Sequence, residues 1–464
     1  MHHRPRYWAF NKSLISDPEF SKTVGTIYLE LPANKQSAVN KFLANKKLDK
    51  SLPIEVLRDM LWMGWPDKPM LDFFVEVWFA NQKLAFDDRI RIVLVDVERP
   101  WSKIHDSNNL PFSGIDRDKY MAEKIINDLQ KNRDGRNCIF IVGFAHAFKN
   151  LRYTNGDPFK TAGYYLKEAI GKEKIHCIFP HTCIMNNFGH VQERLCMGLF
   201  ESAFDKMGNR EIAFPLDKGP FGREEFDAMP RMLVEGQYRD AFGSYLYLGP
   251  LENEIFSPLI ENFYTDEFTK EVGRRHEVLF QRTWTEVEGQ ELTPENFKKW
   301  MCNSWGQPRK NWDSKNLPPK NAWQFGGQNW KETVMSNKHQ YMASHPENLK
   351  QVAKEFFENI RDIDYQYYLK NTSAWREFPI SYRVERDYPG FLNWICNNFS
   401  SNPITNIMII ETNVSEYPSV KYKLTLENGR ILQGELVLVY DPQVQKWVGI
   451  DGIDWHYQPD DQSR

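Results

Sequence analysis

Four short apolar runs stand out in residues 1–275: Gly25–Glu30 (GTIYLE), Ile90–Asp96 (IRIVLVD), Ile139–Val142 (IFIV) and Ile175–Phe179 (IHCIF). Their near-continuous apolar character suits parallel strands covered on both faces better than a half-exposed antiparallel sheet. Stretches of helical period lie between them. In the one that begins at Arg117, Met121, Ile125, Ile126 and Leu129 share one face, while Lys119, Glu123, Lys124 and Asp128 share the other. This alternation predicts an α/β domain over residues 1–275, a doubly wound, largely parallel sheet with flanking helices.

The pattern then changes twice. Trp300–Trp330 (WMCNSWGQPRKNWDSKNLPPKNAWQFGGQNW) is rich in Asn, Lys, Pro and Gly and has no period of a strand or a helix. Residues 276–344 therefore read as a helical and Trp-rich connector whose aromatics pin it to its neighbours, with stacking on sugar rings as the functional alternative. From His345, HPENLKQVAKEFFENIRDIDYQYYLK is strongly amphipathic, and alternating runs follow, with Asn428-Gly429 as a hairpin signal between them. Residues 345–464 thus predict an α+β domain, a helix on a curved antiparallel sheet. In outline this resembles an NTF2-like fold, without any residue motif. Such a module is expected to serve association or to act as a lid, for instance by forming a homodimer.

Composition narrows the functions. The chain has 464 residues, 41% of them hydrophobic and 26% charged, so it can bury more than one core. A net charge of -3 gives no basic field for nucleic acid or an anionic membrane. The six cysteines are scattered, without the Cys-x-x-Cys spacing of a zinc site, and read as reduced or buried thiols. Neither a long apolar span nor a signal-peptide pattern is present, so no membrane insertion is expected and the chain as written reads as soluble and cytoplasmic.

The chemistry gathers at the ends of the apolar runs. The first closes on Glu30, the second on Asp96 with Glu98 just beyond, the third on Gly143-Phe144-Ala145-His146, and the fourth is followed by His181. If the strands are parallel, these residues share one sheet edge, where open α/β sheets form their ligand crevice. Carboxylates and imidazoles together there could activate water or hold a metal. Each one alone would be an ordinary helix cap or solvated loop residue. Arg117 is either an anion-binding group or an exposed residue of a first helical turn. Asp96, Glu98 and His181 are expected to line the substrate side of the cleft, although Asp96 could equally cap or orient its neighbours. His105, His176 and His190 read as structural or solvated. The loop Asp217–Asp227 (DKGPFGREEFD) has turn composition and reads as a plain connection or, less simply, a lid. No G-x-S-x-G elbow occurs, which disfavours a serine nucleophile.

The order RD-x-x-MAE-x-I from Arg117, a strand, G-x-x-H at Gly143–His146, and then the helix TAGYYLKEAIG resembles the erythromycin esterase group and its relatives, the TIKI-type and TraB-type metalloproteases and the haem-binding lipoprotein ChaN. FNKSLISDPEFSKTVGTIYLEL and PMLDFFVEVWFANQKLAFDDRIRIVLVDVE are similar to the helix–strand segments that precede this motif in the group. The resemblance implies that Glu30 matches a strand-end catalytic glutamate and His146 the histidine of the second strand motif. With Gly143 in place of a further histidine, the TIKI and TraB form is the closer match. The group also opens on a strand ending in G-E-x-x-H. His2 or His3 stands where that histidine would fall, but the strand and glutamate before it are absent. The chain is therefore expected to be truncated, with a targeting signal and secretion left open for a longer form, or else His2 and His3 are remnants of a cloning scar.

The implied reaction is hydrolysis of an ester, lactone or peptide bond in a small-molecule or peptide substrate. His146, Glu30, or His2 or His3 would take a proton from water, with Arg117 at the oxyanion. Alternatively, a divalent Mn, Co or Zn ion held by His146 and Glu30, together with His2 or His3, would lower the pKa of that water. A second class remains open on the same scaffold, a non-catalytic protein that binds a ligand, haem or metal.

Overall fold

The computed structural model describes residues 4–105, 110, 112, 114–131, 135–153, 156–185, 192–228, 234–255, 257–280, 286–287, 290–301, 346–362, 399–413, 419–441 and 446–450. His2, His3, His190 and nearly all of the Trp-rich stretch lie outside these residues. The chain divides into two compact units. One comprises Met1–Ile184, Gln192–Val278 and Leu292–Asn321, and the other Met185–Val191, Leu279–Glu291 and Ala322–Arg464.

The first unit is built on strand β1 (Val24–Pro32), every residue of which is buried. Helix α1 (Pro5–Ser16) precedes it. After β1 the chain runs through α2 (Gln36–Ala44), α3 (Ser51–Arg58) and α4 (Lys68–Lys83) into β2 (Arg91–Asp96), then through α5 (Arg117–Lys131) into β3 (Asn137–Ile141). The sheet order is β2-β1-β3 and both pairings are parallel, with Ile27 opposite Ile92 on one side and Ile139 on the other. A strand buried on both faces has no alternation to show, which is why VGTIYLELP reads as a continuous apolar run. Gln36 covers part of the outer edge of β2, its amide donating to Ile92 O at 2.8 Å and its carbonyl accepting from Leu94 N at 2.7 Å. On one face Tyr28 and Val95 pack against Met121, Ala122 and Ile125 of α5 and Ala162 and Leu166 of α6 (Ala162–Ile170). These include Met121 and Ile125, two of the positions that the helical period placed inward, and the other two, Ile126 and Leu129, pack partly buried against the same cluster.

The fourth apolar run departs from expectation. Only Ile178–Pro180 form a strand, β4, and it belongs to a second sheet with β5 (Ile212–Pro215) and β6 (Ser244–Tyr247), in the order β4-β6-β5. β6 pairs parallel with β4 and antiparallel with β5. Ile178 is 51% exposed and only Phe179 of the run is fully buried, so this strand is covered on one face rather than two. Phe179 instead enters a core crowded with rings, including Phe148, Tyr238, Phe242 and Tyr245 together with Phe200 and Phe204 of α7 (Leu199–Lys206). Phe204 stacks on Tyr247 with centroids 3.7 Å apart. Contacts of this kind add roughly 0.5–1.5 kcal/mol each beyond the area they bury. The loop from Asp217 is held at its far end, where Asp227 accepts from Cys196 N at 2.7 Å and from the Tyr238 hydroxyl at 2.6 Å.

Two longer helices follow later in the chain, α8 (Asp266–Phe280), whose last two residues fall in the second unit, and α9 (Pro294–Met301). Arg274 and Arg275 of α8 donate to the carbonyls of Ile104, Trp101 and Arg58 at 2.6–2.7 Å.

In the second unit, α10 (Pro346–Arg361) buries Leu349, Ala353, Phe356, Phe357 and Ile360, the stripe expected of an amphipathic helix. It packs on the antiparallel sheet β7 (Ile404–Asn413), β8 (Ser419–Leu426), β9 (Ile431–Asp441) and β10 (Lys446–Ile450). Phe357 meets Tyr422 with centroids 4.5 Å apart. Asn428-Gly429 sits in the β8–β9 turn, where Gly429 takes the left-handed φ of 83° that favours glycine. The mixed α/β character is as expected, although the described parallel sheet has only the strands β1–β3.

Gly163 is among the glycines that packing requires. A Cβ on Gly163, in the first turn of α6, would lie 2.5 Å from Ala147 O and 2.7 Å from Phe148 O. Backbone oxygens cannot swing aside as a side-chain tip can, so Gly163→Ala is expected to lower stability by about 1–3 kcal/mol. Urea unfolding checks this, and an unchanged midpoint would mean that α6 can slide at no cost.

Candidate active site

The carboxyl ends of β1, β2 and β3, with the first turn of α5, assemble a small ionic cluster. The chain leaves β1 outward to β2 and returns past β1 to β3, so the strand order reverses beside β1, the kind of place where a crevice opens in such sheets. Glu30 and Asp96, at the ends of β1 and β2, are 4% and 0% exposed. Two carboxylates that deep require a cation, and Arg117 supplies it. Its Nε donates to Asp96 Oδ1 at 2.6 Å and its Nη2 to Asp96 Oδ2 at 2.7 Å, while Nη2 also reaches Glu30 Oε1 at 2.5 Å. Asp96 further accepts from Arg99 Nη1 at 3.0 Å and from Val97 N at 2.8 Å. Burial alone would push the Asp96 carboxyl up, but Arg117 and Arg99 outweigh it and hold the pKa below the usual carboxylate range. The same two carboxylates, working against burial, raise the Arg117 pKa.

His146 completes the group. It sits in a single 3-10 turn, Phe144–His146, just beyond β3, and is fixed there in part by Phe144, whose ring packs against Phe148 and Phe179. Its Nε2 lies 3.4 Å from Arg117 Nη1 and 3.6 Å from Glu30 Oε1, and its Nδ1 lies 2.9 Å from Asp118 Oδ1. Burial disfavours the imidazolium, yet the hydrogen bond to Asp118 and the charges of Glu30 and Asp118 prevail over burial and Arg117. The pKa is raised above the ordinary histidine value. Gly143 has an unexceptional φ of -54°, and what it contributes is its N–H, which donates to Glu30 Oε2 at 2.6 Å.

Glu30, Asp96, Arg117 and His146 are therefore brought together. Glu98 is not part of the group. It is exposed and lies 3.8 Å from Lys124 Nζ, two residues past the end of β2, where the pleat no longer sets the direction of its side chain. Nor is His181, whose strand joins the other sheet. It is 2% exposed, its Nδ1 is 2.6 Å from the Tyr245 hydroxyl and its Nε2 is 3.8 Å from Glu201 Oε1. Burial pushes the Glu201 carboxyl up to about 7 despite Arg194. His176 pairs with Ser244 Oγ at 2.7 Å and, like His105, is exposed. Sequence reasoning did not single out Asp118 or Arg99. Asp118 is the second residue of the RD motif but was given no role there, and Arg99 follows Asp96 by three residues with no motif to mark it.

The donors do not fit a divalent metal. Both Glu30 oxygens are taken, one by Arg117 and one by Gly143 N, and the guanidinium occupies the cation position that Glu30, Asp96 and His146 surround. Among the described residues no group of three or more His, Cys, Asp and Glu has the arrangement of a metal site. Among them also, no helix is long and apolar enough to cross a membrane.

No protein-family model matches the chain, and no curated protein matches it. Two solved structures are distantly similar. A mutant of the erythromycin esterase EreC in its open conformation shares 10% identity over 51% of this chain and 85% of its own, with a TM-score of 0.36. A protein from Bacillus cereus shares 12% identity over 52% of this chain and 83% of its own, with a TM-score of 0.30.

Removing the cation tests the electrostatic account. Arg117→Met leaves Glu30 and Asp96 with less positive charge than their burial demands, and is expected to destabilise the protein by about 3 kcal/mol at pH 7. In that variant the folded pKa values of the two acids rise above their unfolded values of about 4. The penalty is then absent at low pH and grows as pH climbs through the raised values. Denaturant unfolding at pH 4.5 and pH 7 should show a smaller gap from wild type at the lower pH, and equal gaps would refute the charge argument.

Proposed function

We propose that this chain is a hydrolase of ester, lactone or peptide bonds in which His146 is the general base. The observation that carries the reading is the 3.4 Å separation of His146 Nε2 from Arg117 Nη1. Nη1 is the arm of the guanidinium that neither carboxylate engages. A substrate oxygen or a water at this point meets a proton acceptor and a fixed cationic donor side by side.

In the proposed step, water gives a proton to Nε2 as its oxygen attacks the carbonyl carbon. The developing oxyanion is stabilised by Arg117 Nη1. Collapse breaks the bond to the leaving alkoxide or amine, which takes the proton back from His146. Glu30 and Asp96 hold the guanidinium so that it need not reorganise during the reaction, and the nearby Glu30 charge favours the transient imidazolium. Nothing in this sequence calls for a metal. His2 and His3 lie outside the described residues, and Glu98 and His181 are assigned no contact with substrate.

A panel of ester, lactone and peptide substrates tests the reading on wild type, His146→Ala and Arg117→Lys. His146→Ala should reduce kcat/KM by about 10²–10⁴-fold, and chelators should leave wild-type activity intact. Because only the neutral imidazole can accept the proton, kcat/KM should rise with pH through a midpoint above the ordinary histidine value of about 6.5. Binding without turnover, or turnover that survives both substitutions, would overturn the assignment.

A further inference from the structure

Asp118 lies beside the site and has been given no role so far. It is partly exposed, at 23%, and as the second residue of α5 it would ordinarily be read as an acid favouring a helix start. Its Oδ1, however, does two things at once. It lies 2.9 Å from His146 Nδ1, and it accepts from Ala162 N at 2.6 Å. Ala162 is the first residue of α6, where backbone N–H groups have no partner within the helix.

The start of α6 is tied to the histidine turn by two more contacts. Thr161 Oγ1 donates to Phe148 O at 2.5 Å while accepting from Tyr164 N at 3.1 Å, and Gly163 comes so close to the carbonyls of Ala147 and Phe148 that no Cβ would fit. The imidazole and the backbone that carries it are thus referred to one helix end. We propose, on the reading of His146 as general base, that Asp118 is its positioning residue, fixing the proton on Nδ1 and the ring orientation by bridging the imidazole to the N-terminus of α6. The proton on Nδ1 leaves the Nε2 lone pair facing the Arg117–Glu30 pair, where the base must act. A solvated carboxylate would also favour the imidazolium, but it would not select the tautomer. The shared oxygen matters because the Ala162 N–H holds the carboxylate still as the ring pulls on it. The charged groups facing His146 are Arg117 and Asp118 from α5 and Glu30 from β1.

The experiment is ¹⁵N NMR of the full chain with labelled histidine, the His146 signals being assigned by their loss in His146→Gln, together with kinetics. In wild type, neutral His146 should carry its proton on Nδ1. Asp118→Ala, which leaves Nδ1 without its acceptor, should release the proton from Nδ1 toward Nε2 and lower the pKa of the ring. It should also reduce kcat on the order of 10²-fold or more with KM little changed. Asp118→Glu should recover part of the tautomer and part of kcat. A wild-type ring with Nδ1 unprotonated overturns the proposal without any variant having to fold, and so does Asp118→Ala with tautomer and titration unchanged. Because the NMR measurement needs no substrate, failure of every substrate would sink the hydrolase reading while leaving the tautomer result to judge Asp118 by itself.

Discussion

The site depends on one guanidinium. Arg117 lies between Glu30 and Asp96, two carboxylates buried at the ends of neighbouring parallel strands. Either carboxylate alone at that depth would cost several kcal/mol through lost hydration. A cation in the first turn of a helix is also unfavourable by roughly 0.3–1 kcal/mol, since that end of the helix dipole is already positive. The helix therefore does not explain the arginine. Breaking a buried pair costs about 3–5 kcal/mol, which is the larger effect, and the arginine is explained by the strands that it neutralises.

This ordering of energies also accounts for what could be read from the sequence. Strands covered on both faces leave continuous apolar runs, and GTIYLE and IRIVLVD end on the acids that the parallel sheet then brings together. His146 was visible for the same reason, as a polar residue just past an apolar run. The run IHCIF misled because run length and apolar content do not reveal whether both faces will be covered. Ile178 is exposed, the strand pairs in another sheet, and His181 goes with it. Glu98 failed because it lies past the end of β2, where the pleat that aligns it with Asp96 has stopped. In the second unit, the hairpin at Asn428-Gly429 and the stripe of α10 were legible because each is a local rule.

Asp118 shows the limit of such reading. In the sequence it is one carboxylate in a charged helix start, beside Asp116 and Lys119. What distinguishes it is a contact with Ala162, and that depends on where α6 begins relative to the turn that carries His146. Thr161 did announce a helix start, since it is a good cap residue. Nothing local could say which carboxylate that start would meet.

The turn Phe144–His146 joins the ionic cluster to the aromatic core, and this decides which parts of the site can move. Phe144 packs on Phe148 and Phe179, deep among rings that also include Phe226 and Phe242. Two residues later His146 faces the carboxylates. One side of the turn is thus held by dispersion and the other by charge, and α6 closes it from a third direction through Gly163. Asp96 is fully buried and Glu30 nearly so, and the groups of the cluster that solvent or a substrate meets are chiefly the outer atoms of His146, Asp118 and Arg117, which are 19%, 23% and 33% exposed. Chemistry at this place is therefore confined to the face that Nε2 and Nη1 share. The buried acids act on it only through the guanidinium they hold and the charge they contribute.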